Sequence, residues 1–122
     1  MQTVRADIEF SVVPTEWGIC LGTRRIGELL RDLGMPATGA LAESFGLELV
    51  RNAATYAKGW PRVRVTVADQ VRVEVTDSLP QHIEPTDTGG LRDLTENADA
   101  WGCDLTETGK TVWFELAWRA RD

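Results

Sequence analysis

The sequence predicts an α+β domain, a two-layer α/β sandwich in which a mixed sheet carries its helices on one face. Three observations predict it. Short segments alternate apolar with polar residues, two longer segments repeat apolar residues every three or four positions, and the order reads βααββαββ. Val4 to Val12 supplies the first strand, with Val4, Ala6, Ile8, Phe10 and Val12 in alternation. Pro14-Thr15-Glu16 offers a cap and an acidic first turn for a helix from Trp17 to Leu33. Its Ile19, Ile26, Leu29, Leu30 and Leu33 share one face, and Gly34 and Pro36 end it.

A second helix is expected from Gly39 to Lys58, stopped by Gly59-Trp60-Pro61. Leu41, Phe45, Leu47, Leu49, Val50, Ala53, Ala54 and Ala57 make most of its circumference apolar. Ser44, Glu48, Arg51, Asn52 and Thr55 fall on one narrow polar stripe, which either meets water or lines a cleft. Arg62–Val67 and Gln70–Asp77 read as a hairpin around Ala68-Asp69. A loop from Ser78 to Thr88 leads to Gly89-Gly90 and a third helix from Leu91 to Ala100, with Leu91, Leu94, Ala98 and Trp101 on one face. Strands at Cys103–Thr106 and Thr111–Trp118, joined by a turn at Thr108-Gly109-Lys110, close the chain.

The size fits one domain over residues 1–122. Thirteen basic against nineteen acidic side chains give a net charge of -6. That balance argues against nucleic acid, because binding a phosphate backbone needs a basic surplus or stripe. No stretch approaches the roughly 18–20 apolar residues of a membrane span, and positions 1–20 lack the basic start and apolar run of a signal peptide. The expected location is the cytoplasm. Cys20 and Cys103 stand alone, without the neighbours a zinc or redox site needs, and read as small buried apolar side chains.

Chemistry concentrates at a few positions. Glu48 and Asn52 lie one helical turn apart. An amide oxygen suits Mg²⁺, and a carboxylate beside it can deprotonate a hydroxyl. Spacing alone favours the plainer reading, in which Glu48 pairs with Arg51 on a solvated face. Asp77 ends a strand, where its carboxylate either starts a turn or accepts from an adenine amino group. Gly89-Gly90 before a helix lets backbone N–H groups approach phosphate. Gly109-Lys110-Thr111 is not a phosphate-binding P-loop: Asp104 stands where that motif needs glycine, and a strand follows instead of a helix. His82, the single histidine, lies in a proline-flanked loop and reads as solvated.

Taken in order, Glu48-Leu49-Val50-Arg51-Asn52-Ala53, Val73-Glu74-Val75-Thr76-Asp77, Gly90-Leu91, Trp101-Gly102 and Gly109-Lys110-Thr111-Val112-Trp113 make a pattern. It resembles the histidine-kinase-like ATPase superfamily, above all the small actinobacterial regulators related to anti-sigma-factor serine/threonine kinases. The resemblance spans Phe10 to Leu116 and implies the Bergerat fold, with ATP and Mg²⁺ as ligands. It implies Asn52 as the Mg²⁺ and phosphate ligand and Glu48 as the general base. Asp77 would read adenine, Gly89, Gly90 and Leu91 would form the phosphate-side helix start, and Thr111 would be the strand hydroxyl near the base.

The implied partner is a protein, a sigma factor or its antagonist, and a homodimer is compatible with that role. The same pattern also fits a module that has lost nucleotide handling and acts by protein contact alone. Relatives carry Gly-Arg-Gly-Leu where this chain has Thr88-Gly89-Gly90-Leu91, and the segment from Asp77 to Thr88 is short for a lid. The phosphate end of such a site is therefore expected to be less enclosed than the adenine end.

Overall fold

The elements are β1 (Ala6–Ser11), α1 (Glu16–Asp32), α2 (Pro36–Tyr56), β2 (Arg62–Val67), β3 (Gln70–Asp77), α3 (Arg92–Asn97), β4 (Ala100–Thr106) and β5 (Gly109–Ala117). They are seen in a computed structural model that describes residues 3–56, 59–78, 92–107 and 109–118. The order is the βααββαββ read from the sequence. The five strands form one sheet in the order β1-β2-β3-β5-β4.

Every neighbouring pair in that sheet is antiparallel, so the expected mixed sheet is corrected. The reason lies in the connections. Two helices separate β1 from β2; the second undoes the reversal made by the first, and β2 returns antiparallel beside β1. Among the described residues a single helix, α3, lies between β3 and β4; those two strands run the same way, but β5 inserts between them and pairs with both. Strands that run the same way, β3 and β4 among them, are therefore never hydrogen-bonded neighbours.

Strand alternation sends one side of the sheet into the core. Val63, Val65 and Val67 of β2, Val71 and Val73 of β3, and Phe114 and Leu116 of β5 are fully buried. They meet Ile26 and Leu30 of α1, Phe45, Leu49 and Val50 of α2, and Leu94 of α3. Phe45 stands edge-on to Phe114 with ring centres 5.6 Å apart. All three helices thus contribute to one apolar layer on one face of the sheet, a two-layer α/β arrangement.

The opposite face is charged. Arg64 donates two hydrogen bonds to Asp7 at 3.1 and 2.9 Å, and Arg62 pairs with Glu9. Arg72 lies 4.1 Å over the Trp113 ring and reaches Glu115 at 3.2 Å and Glu74 at 3.4 Å.

Helix ends follow local chemistry. Thr15 caps α1, its hydroxyl accepting from the Gly18 N–H at 3.0 Å. Gly34 takes φ +82°, a left-handed conformation that suits glycine, and turns the chain out of α1. Helix α2 then starts at Pro36, earlier than the expected Gly39. Proline fits a first helical turn, where its missing N–H would have had no partner. Pro36 thus opens the second helix as much as it closes the first.

Two further expectations are corrected. Helix α3 stops at Asn97 rather than Ala100, because Asp99 is drawn into the sheet: its N–H donates to the Glu115 carbonyl at 3.0 Å, and its carboxylate accepts from the Ala117 N–H at 2.7 Å. Trp101 consequently leaves the expected helix face and sits in β4 opposite Phe114, 38% exposed. The cysteines are not buried either. Cys20 is exposed and Cys103 half-buried. Cys20 lies on the outer side of α1 with exposed Trp17 and Leu21, away from the Ile19, Ile26 and Leu30 stripe.

Candidate functional site

One end of the sheet gathers most of the described candidate residues. Strand β3 ends there at Asp77, β5 begins there at Gly109, and β2 begins there at Arg62, opposite Thr76. The connection from Tyr56 to Arg62 is short, so the last turns of α2 come to the same end. Glu48, Arg51 and Asn52 on those turns are half-buried, while Ser44 and Thr55 are exposed. The stripe read from the sequence is therefore a wet edge of an otherwise buried helix. Arg51, the alternative partner for Glu48, reaches instead across to Glu16 at the start of α1.

Asp77 is in phase with Val71, Val73 and Val75, and so projects on the apolar face that α2 covers. It is 7% exposed. Lys110 of β5 lies directly opposite it and is 5% exposed. The Lys110 Nζ is 3.2 Å from Asp77 Oδ2, within ion-pair distance, yet Nζ makes no hydrogen bond of acceptable geometry. Backbones also crowd here. A Cβ added to Gly109 would sit 2.0 Å from the Asp77 carbonyl oxygen, so this approach of β5 to β3 requires glycine. Asp77, Ser78, Gly109, Thr106 and Trp60 border a shallow depression of about 240 Å³ at the strand ends.

Thr111 is not brought to Asp77. One residue beyond Lys110, it points to the opposite face, where its hydroxyl lies 2.8 Å from that of Thr76. It borders a second depression of about 200 Å³ with Glu9, Arg62, Arg64 and Glu74. The residue that faces Asp77 is Lys110, which belongs to β5 rather than to the expected turn. The signal was available: Lys110 is in step with Val112, Phe114 and Leu116, so period-two counting sends it to the apolar face. Gly89, Gly90, Leu91 and His82 lie outside the described residues.

Among the described residues, no group of three or more His, Cys, Asp or Glu side chains gathers to hold a metal ion. Mg²⁺ held mainly by phosphate oxygens and water needs only one or two protein oxygens. The Asn52 amide, one turn from the Glu48 carboxylate on the wet edge of α2, offers an oxygen of that kind. No helix among the described residues is long and apolar enough to cross a membrane. No protein-family model matches the chain, and no curated protein matches it.

Proposed function

We propose that this chain is an ATP-binding regulatory protein of the Bergerat-fold class, of the anti-sigma-factor serine/threonine kinase type, acting in the cytoplasm on protein partners. The observation that carries this reading is Asp77: a buried carboxylate at a strand end, on the apolar face covered by the helix that bears Glu48 and Asn52. A carboxylate there accepts from an exocyclic amino group, which adenine has at the position where guanine has a carbonyl. Asn52 and Glu48, at the same end of the sheet, serve the phosphate side. Mg²⁺ bound at Asn52 would neutralise phosphate charge.

In transfer to a partner serine or threonine, the hydroxyl oxygen bonds to the γ-phosphorus and the bond to the ADP oxygen breaks. Glu48 takes the hydroxyl proton.

A second reading rests on the ion contact at the same place. Lys110 beside Asp77 would be a structural link in a module of the same fold that binds proteins without handling nucleotide. Calorimetry with ATP, ADP and GTP, each with and without Mg²⁺, tests the choice. Selective binding of adenine nucleotides is expected; heat from none of them leaves the protein-binding module.

A further inference from the structure

We infer that Lys110 is a specificity-determining residue, donating to the ring acceptor of the base whose amino group Asp77 accepts. This deepens the nucleotide-binding reading and rests on it. The β3–β5 register places the two residues directly opposite, on the covered face, with side chains 5% and 3% exposed. Neighbouring positions in the same two rows are Val75 opposite Val112 and Val73 opposite Phe114. The sheet therefore packs here with apolar pairs and has no structural need of a buried ammonium and carboxylate, whose desolvation is costly.

The ammonium carries three N–H donors. Its contact to Asp77 Oδ2 at 3.2 Å uses none of them in a well-aligned hydrogen bond. A buried donor of that kind calls for an acceptor. Asp77 and Lys110 together present an acceptor beside a donor. Their complement is a ligand edge with a donor beside an acceptor, and in adenine that edge is the N6 amino group next to N1. Asp77 alone takes only the amino group; with Lys110 the site reads both atoms.

The test uses the full chain with Mg²⁺, ATP and 1-deaza-ATP, in which a C–H replaces the N1 acceptor while the amino group stays. The unaltered protein should bind ATP at least about tenfold more tightly than 1-deaza-ATP, the scale of one lost hydrogen bond. Lys110→Met should lower ATP affinity by a similar factor and bind the two nucleotides equally. Lys110→Gln, which keeps a donor, should recover part of the preference.

Equal binding of ATP and 1-deaza-ATP by the unaltered protein overturns the role of Lys110, whether or not the variants fold. ATP affinity unchanged in a folded Lys110→Met but lowered in Asp77→Asn overturns it while leaving the adenine reading intact. No binding of any adenine nucleotide by the unaltered protein overturns both.

Discussion

At Asp77, a single side chain carries the nucleotide reading, and its burial sets the size of the effect. Replacing it with asparagine keeps the shape but places an amide N–H where an acceptor is needed. Asp77→Asn should weaken ATP by about 1–3 kcal/mol, the range for leaving a buried polar group unmatched. An ATP affinity equal to that of the parent protein removes Asp77 from the site. Gly109 is the other residue whose environment leaves no latitude. A methyl group there meets the Asp77 carbonyl oxygen at 2.0 Å, so the two strands must separate. Gly109→Ala should cost about 1–3 kcal/mol in chemical denaturation, as overpacking does, and should weaken nucleotide binding as it displaces Asp77.

Helix α2 combines two roles along one element. Leu49 is 3% exposed and belongs to the core, so Leu49→Ala should cost roughly 2–5 kcal/mol through the cavity it leaves. Glu48 and Asn52 are half-buried on the wet edge. Their alanine variants should stay within about 1 kcal/mol of the parent in urea unfolding. Unfolding of Asn52→Ala would make its side chain a structural link and end its assignment as a ligand.

The β1–β2 pair makes a different prediction. Hydrogen bonding from Arg64 holds the Asp7 carboxyl below the usual carboxylate range and raises the Arg64 guanidinium in turn. A depressed carboxyl contributes stability above its unfolded value, about pH 4, and loses it as the pH falls through the lower folded value. The stability difference between the parent and Asp7→Asn should therefore be present at neutral pH and vanish in acid. Both groups face solvent, so it should be small and shrink with added salt.

For the molecule as a whole, the two readings part at turnover. Phosphoryl transfer depends on positioning and charge neutralisation around the γ-phosphate. This chain has Gly89 where the ATPases it resembles in sequence carry an arginine, and a short segment between Asp77 and Thr88. ATP and ADP should accordingly bind within about tenfold of each other, roughly 1.4 kcal/mol, and transfer to a partner should be slow or absent. Incubating candidate antagonist proteins with labelled ATP checks this. Rapid labelling abolished by Glu48→Ala would show instead a fully competent kinase.

Periodicity by itself determined the order of the elements, the bounds of β2 and β3 and the polar stripe of α2. These depend on which face each residue presents locally, and that is written in the spacing of apolar residues. Only the tertiary structure decided how strands lie beside one another. The insertion of β5 between β3 and β4 turned an expected mixed sheet antiparallel, and the pull of Asp99 into the sheet shortened α3 and moved Trp101. The site divided along the same line. Asp77 was legible as a strand-end carboxylate, but its partner depended on register: a shift of one residue changes the face, so Lys110 meets Asp77 and Thr111 meets Thr76 across the sheet. Pairing across 33 positions of sequence is set by the packed sheet, and no local pattern encodes it.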